Sequence, residues 1–175
     1  MRWLAEPRKR SGRKRGLPDV SPFSPEGAGS RNAPRAEAGF QILTEVVHSS
    51  KPVDEALRSY ARILIFPLLD KETLGLLRAI IGNAETLPEP AEAFWATGPT
   101  RVYQLVSEMI RSRMARGELQ EADPVEAMHF FVASCTGRFW SQGLLAVQPK
   151  VTKAQVNAYV DQVIQAFLAV YAPRH

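Results

Sequence analysis

The 175-residue sequence has one cysteine, three histidines and no long apolar run. The single cysteine, Cys135, excludes a disulfide within the chain and fits a reducing compartment. No apolar stretch reaches the roughly 18 residues needed to cross a bilayer. The N-terminal segment MRWLAEPRKRSGRKRG places charge where a secretory signal needs an apolar region. We therefore expect a cytoplasmic protein that is neither exported nor inserted in a membrane.

Patterns of catalytic residues are also missing. The sequence has no Ser-His-Asp arrangement, glycine-rich phosphate loop or Cys/His cluster, so we predict neither an enzyme nor a cofactor. Glu126-x-x-His129 is half of a helical di-iron motif, but neither His48 nor His175 follows a glutamate by three residues. We expect no metal site and interpret Glu126 as a helix-capping acid. Cys135 lacks charged neighbours, which favours a packed thiol over a redox sensor.

Charge is distributed unevenly along the chain. Residues 1–39 hold nine basic and four acidic residues, a net charge of +5, whereas residues 40–175 hold 13 basic and 14 acidic residues, a net charge of −1. The first segment is rich in Pro, Gly and Ser and has no apolar periodicity, so we predict a disordered basic tail. Its RKRSGRKR run could contact nucleic acid weakly and non-specifically. No aromatic residues alternate with these charges, which favours a solvated tail instead.

From residue 40 onward the apolar spacing is helical. Pro52 and Pro67 bracket one predicted helix, and Asp70 can cap the next. Pro88 and Pro90 begin a short helix that Gly98 ends, and a longer helix runs from Pro99 to Gly117. The sequence DPVE from Asp123 and the sequence TKAQ from Thr152 both have the spacing of a capping box. About six helices follow from these signals, and the fold class is all-α.

The last two predicted helices, near 124–142 and 153–171, have unusually wide apolar coverage. A helix of this kind must be covered on more than one side, and a second copy of the chain is the simplest cover. We expect a monomer to leave the apolar face of the last helix in water. The candidate dimer-interface residues are Val132, Phe139, Val156, Val160, Val163 and Phe167.

Several short sequence elements lie one after another between residues 77 and 139. They are Glu85, Leu87-Pro88, Phe94-Trp95, Gly98-Pro99, the ARGEL segment at 115–119, and Asp123-Pro124. Together they resemble the C-terminal regulatory domain of TetR-family transcriptional repressors. The resemblance implies that residues 40–175 form a helical bundle in which the broken helix near Pro88 is one wall of a ligand chamber. It also implies that the final two helices pair with those of a second subunit as a four-helix interface.

The N-terminal part departs from this family. GFQILTEVV, from residue 39, looks like the start of the helix that leads into the regulatory domain, but nothing in residues 1–39 resembles the DNA-binding helix-turn-helix. We hypothesise that this segment is an out-of-frame or misassigned 5′ end. The alternative is a natural head-less module that forms heterodimers with full-length regulators and modulates them. In either case we expect no DNA-binding residues within the 175 residues of this sequence.

Aromatic side chains near the broken helix are the candidate pocket residues. Binding chambers are mostly apolar with a few polar anchors, and the same spacing also fits ordinary core packing. We expect a small apolar or amphipathic effector. The candidates are Phe66, Phe94, Trp95, Tyr103, Phe130 and Phe131, with Arg101, Gln104 and His129 as anchors. The predicted function is that of an effector-binding and dimerisation domain, acting as a homodimer.

Overall fold

The computed structural model describes residues 40–46, 49–147 and 150–173, all of which are helix, turn or loop. The prediction of a disordered tail concerns residues 1–39, which lie outside the described residues. Helix α1 includes residues 40–46. The following elements are α2 (Val53–Ile65), a short 3-10 helix (Phe66–Leu69), α3 (Lys71–Asn83), α4 (Glu89–Thr97), α5 (Pro99–Ala115), α6 (Pro124–Leu144) and α7 (Lys153–Tyr171). The all-α prediction is confirmed, since α2 to α7 are six substantial helices and no strand occurs in the described ranges.

The helices begin where the sequence places capping residues. The Asp70 carboxylate accepts a hydrogen bond from the Thr73 amide at 2.8 Å at the start of α3. Thr152 and Gln155 form both bonds of a capping box at α7, at 3.2 and 2.8 Å. At α6, Asp123 accepts from the amides of the first turn. The described residues show no return bond from the Glu126 side chain, so only half of the box expected there is formed.

The break between α3 and α5 has a simple cause. After α3 the chain makes a turn, in which the Leu87 amide donates to the Asn83 carbonyl at 2.8 Å, and α4 then begins with proline in its first turn. Only Gly98 separates α4 from α5. A Cβ at Gly98 would lie 3.2 Å from the Phe94 carbonyl oxygen, so glycine suits this tight reversal. The two helices therefore stay in contact.

The hydrophobic core lies between α2, α5, α6 and α7. Helix α2 packs on both α6 and α7, and α5 packs on α6. The rings of Phe131 in α6 and Phe167 in α7 meet edge to face, with centroids 5.4 Å apart. Leu57 and Ile65 of α2 are fully buried in the same cluster. Helix α2 therefore covers the inner sides of the last two helices.

This arrangement changes the interpretation of the six candidate interface residues. All six are at most 7% exposed in the single chain. The expectation that a monomer leaves the Val156, Val160, Val163 and Phe167 side chains in water is therefore wrong. The physical reason is that α2 covers them from within the same subunit, which apolar spacing along α7 cannot reveal. Any contact with another subunit must use the outward sides of these helices.

Candidate functional site

A groove of about 430 Å³ runs between α5 and the first turn of α6. It is lined by Tyr103, Gln104, Ser107, Glu108 and Arg111 of α5 and by Val125 of α6. The α5 residues share one side of the helix because they are spaced by three and four positions. The groove is shallow and open to solvent along much of its length.

Three aromatic rings from three helices meet beside this groove. Trp95 of α4 lies edge to face with Tyr103 of α5, with ring centroids 5.8 Å apart. Tyr103 makes a similar contact with His129 of α6, at 5.6 Å. Trp95 is 54% exposed, and His129 is also exposed. The change of direction at Gly98 places Trp95 of α4 beside Tyr103 of α5.

Two side chains of opposite charge line the α5 wall of the groove. Glu108 and Arg111 are one helical turn apart and both are exposed. Neither makes a hydrogen bond or ion pair with another residue in the described part of the chain. Ser107, which also lines the groove, is 8% exposed. The wall therefore offers a carboxylate, a guanidinium, an amide and a hydroxyl to a molecule in the groove.

The structure brings some of the predicted pocket residues together and separates others. Tyr103 and Gln104 line the groove, while Trp95 and His129 border it through the ring contacts. Phe94 is half-buried against the core, and Phe131 is fully buried within it. These placements leave the pocket prediction open for the four residues near the groove.

The remaining candidates lie elsewhere. Phe66 is 46% exposed in the 3-10 helix. Phe130 is one position beyond His129, about 100° further around α6, and its ring lies 6.1 Å from that of Tyr171 in α7. The Arg101 guanidinium lies 4.3 Å from the centre of the Phe40 ring in α1. Arg101 also lines a separate open cleft of about 490 Å³ with residues of α1.

Sequence reasoning missed Ser107, Glu108, Arg111 and Val125 as groove residues. A signal for three of them was present, because they continue the same side of α5 from Gln104 at intervals of three and four. Val125 was read only as part of an apolar helix. Its contribution depends on how the start of α6 crosses α5, which local spacing does not define.

The outward sides of α6 and α7 form a surface with little charge. Beyond Lys153, every exposed residue of α7 is alanine, glutamine or valine. On α6, exposed Phe130, Ala133, Gly137 and Ser141 follow one another at intervals of three and four. Arg138, the charged residue in this stretch, is directed towards the Tyr159 ring, 5.8 Å away. We call this surface the outer α6–α7 face.

A buried arginine joins the end of α5 to the segment before α2. Arg113 is 1% exposed, and one of its terminal nitrogens donates to Glu118 at 2.6 Å and to the Lys51 carbonyl at 2.7 Å. The other terminal nitrogen donates to the Ser49 carbonyl at 3.1 Å. Its Nε has no partner among the described residues. A separate hydrogen bond connects α2 to α1: the Tyr60 hydroxyl donates to the Leu43 carbonyl at 2.9 Å.

The all-α bundle agrees with the helical fold expected from the resemblance to TetR-family regulatory domains. Residues 55–173 match the family model described as the AefR-like transcriptional repressor, C-terminal domain. The chain belongs to this family of TetR-type regulators. Proteins of the TetR family generally dimerise and bind small-molecule effectors and DNA.

Two solved structures share the fold. One is a protein from Mesorhizobium loti described as a TetR-family transcriptional regulator, with 26% identity, coverage of 78% of this chain and 67% of that chain, and a TM-score of 0.70. The other is described as the flavonoid-responsive regulator FrrA, with 20% identity, coverage of 83% and 77%, and a TM-score of 0.63. At that identity the second likeness establishes the fold alone. No curated protein matches the chain. None of the described helices is long and apolar enough to span a membrane.

Proposed function

We propose that this chain is an effector-binding and dimerisation domain of a cytoplasmic transcriptional regulator, and that it is not an enzyme. The observation that carries the proposal is the composition of the outer α6–α7 face. An exposed helix ordinarily carries charged residues on its solvent side, whereas the side of α7 away from its Asp161–Arg58 contact with α2 exposes, beyond Lys153, only alanine, glutamine and valine. Small side chains allow two helices to approach closely. A second copy of the same face is the cover that fits a symmetric pair.

The groove between α5 and α6 supports the effector-binding half of the proposal. Tyr103 and Val125 supply apolar surface within it, the Trp95 and His129 rings lie beside it, and four polar or charged side chains line the rest. We propose that a small amphipathic effector binds there. In an intact regulator of this family, effector binding would be coupled to operator affinity through the relative positions of two DNA-reading heads.

The absence of a DNA-reading head remains a hypothesis that rests on the sequence of residues 1–39. On this hypothesis the chain contacts DNA only through the head of an intact family member, or weakly and non-specifically through its basic tail. A gel-shift titration at near-physiological salt tests it, because sequence-selective binding by residues 40–175 alone would contradict it. The alternative is a module that forms heterodimers with full-length regulators. Co-expression of the chain with an intact relative tests this alternative, because a heterodimerising module should form mixed dimers with that relative.

Sedimentation velocity tests the proposed dimer. We expect the wild-type chain to be a dimer at tens of micromolar, because a monomer leaves the outer α6–α7 face in water. Ala166 is exposed on this face, so Ala166→Glu should produce a monomer by placing a carboxylate twice in a symmetric interface. Val163→Glu is unsuitable, because Val163 is 6% exposed and its substitution would disrupt the core of the subunit.

Ala79→Glu in α3 is the matched control, since Ala79 is exposed on a helix outside this face. The control should remain dimeric, and circular dichroism should show unchanged helicity for both variants. A wild-type chain that is monomeric, or an Ala166→Glu variant that dimerises as well as the control, would contradict the proposed interface.

A further inference from the structure

We propose that the groove between α5 and α6 selects a neutral, planar aromatic molecule that carries a hydroxyl group, that is, a phenol. This inference rests on the proposed effector site and narrows the chemical class of its ligand. Two independent features of the groove support it. The first is the aromatic row beside the groove, and the second is the pair of opposite charges on its wall.

The aromatic row favours a flat ligand. The Trp95, Tyr103 and His129 rings meet at interplanar angles of 88° and 77°, so neighbouring rings present edges and faces in alternation. An aromatic ligand can continue this edge-to-face pattern, whereas a saturated ring system of the same size cannot. Val125, 42% exposed on the opposite wall, provides an apolar surface for the rest of the molecule.

The charged pair selects against ions of either sign. A carboxylate ligand would be attracted by Arg111 and repelled by Glu108. An ammonium ligand would be attracted by Glu108 and repelled by Arg111. A neutral hydroxyl can donate a hydrogen bond to the Glu108 carboxylate and accept one from the Arg111 guanidinium. Both protein groups are exposed and make no hydrogen bond to another described residue, so a ligand hydroxyl replaces only water at each of them. Hydrogen bonds to charged groups are stronger than those between neutral groups.

Four probes of one size separate these features in isothermal titration with the full chain at neutral pH. They are 2-naphthol, decahydro-2-naphthol, 2-methoxynaphthalene and 2-naphthoate. The second removes aromaticity, the third removes the hydroxyl donor, and the fourth carries a negative charge. We expect 2-naphthol to bind tightest, with each of the other three weaker by about tenfold, because each removes one interaction or adds a repulsion.

Glu108→Gln tests the charged pair directly. The variant should bind 2-naphthol less tightly and 2-naphthoate more tightly, because the carboxylate that repels the anion is gone. A purely structural role for Glu108 would weaken both probes together. Glu72→Gln, an exposed glutamate in α3, is the matched control and should leave both affinities unchanged.

Tyr103→Leu tests the aromatic row and should reduce the preference for 2-naphthol over its saturated analogue. If this variant fails to fold, the Trp95→Leu variant addresses the same row from an exposed position. The inference is overturned if none of the probes binds, if 2-naphthoate binds the wild type as tightly as 2-naphthol, or if Glu108→Gln leaves their ratio unchanged. Sedimentation reports dimerisation separately, so a dimer that fails these titrations removes the phenol inference and leaves the interface intact.

Discussion

Arg113 and Arg58 each join two parts of the bundle, but they do so in different surroundings. Arg113 is 1% exposed and links α5 to the segment before α2 through Glu118 and two backbone carbonyls. Arg58 of α2 is 30% exposed and bridges Asp54, one turn earlier, to Asp161 of α7, with 2.9 Å between its Nε and the Asp161 carboxylate. Both are arginine–carboxylate junctions, but only in the first is the guanidinium shielded from water, while its partner Glu118 is 31% exposed.

We expect burial, more than the identity of the pair, to set the stability contribution of such a junction. A buried guanidinium must have acceptors, and the groups that it satisfies lose their partner when it is removed. An exposed pair exchanges its partners for water at little cost and is screened by salt. The Arg113 junction should therefore be far more sensitive to substitution than the Arg58 junction.

The largest expected effect is that of Arg113→Met. Methionine fills a similar space but leaves the Ser49 and Lys51 carbonyls without their donor, so we expect the free energy of unfolding to fall by about 2–4 kcal/mol. Urea unfolding followed by circular dichroism measures this loss. Arg113→Lys keeps the charge without the planar fork that reaches three acceptors, and its loss should be intermediate. A loss below about 1 kcal/mol for Arg113→Met would erase the contrast between the two junctions.

A smaller effect is expected for Arg58→Met. All three side chains of this junction are at least 30% exposed, so we expect a loss of no more than about 1 kcal/mol. The loss should shrink further in high salt, whereas that of Arg113→Met should change little. Unfolding both variants at low and high salt sharpens the comparison. Equal salt sensitivity of the two losses would show that the buried junction is accessible to solvent in the folded protein.

The sequence predicted the ends of the helices well because the responsible interactions are local. The Asp70 cap, the Thr152 capping box and the Gly98 reversal each involve residues within a few positions of one another. Gly117, predicted to close α5, has φ of 71°, a backbone conformation that suits glycine. Such signals are visible without knowledge of the tertiary structure.

The side of a helix that meets the core was harder to predict. The spacing of Val156, Val160 and Val163 shows an apolar stripe but not its cover, and the cover is α2, about one hundred residues earlier in the chain. Arg113 reads in the sequence as an ordinary arginine near the end of a helix. Its burial depends on contacts with Ser49 and Lys51, more than sixty positions away. Those parts of the structure follow from tertiary packing.

The candidate groove could be predicted from the sequence only in part. Tyr103 and Gln104 were predicted from their positions near the broken helix, and Ser107, Glu108 and Arg111 share the same side of α5. Val125 and His129 join this region because α6 packs across α5, and that packing is a feature of the tertiary structure. Periodicity could therefore have located one wall of the groove, whereas the other wall required the fold.

The smallest expected effect concerns the pH dependence of the exposed junction. The hydrogen bond from Arg58 lowers the pKa of Asp54 below its ordinary value of 3.8. A carboxyl whose pKa is lower in the folded state stabilises the fold above its unfolded pKa, and this contribution is lost as the pH falls through the folded pKa. Asp54→Asn should therefore be slightly less stable than the wild type at neutral pH, and the difference should begin to shrink at about pH 4 and be lost as the pH falls through the folded pKa of Asp54. Urea unfolding between pH 7 and pH 3 measures the difference, and the same substitution in the Arg58→Met background is the control. In that background the pH-dependent difference should be smaller, since Arg58, the largest cause of the lowered pKa, is absent and only the backbone hydrogen bonds of Glu55 and Asp54 still lower it. An undiminished difference there would mean that Arg58 is not the main group that stabilises the Asp54 carboxylate.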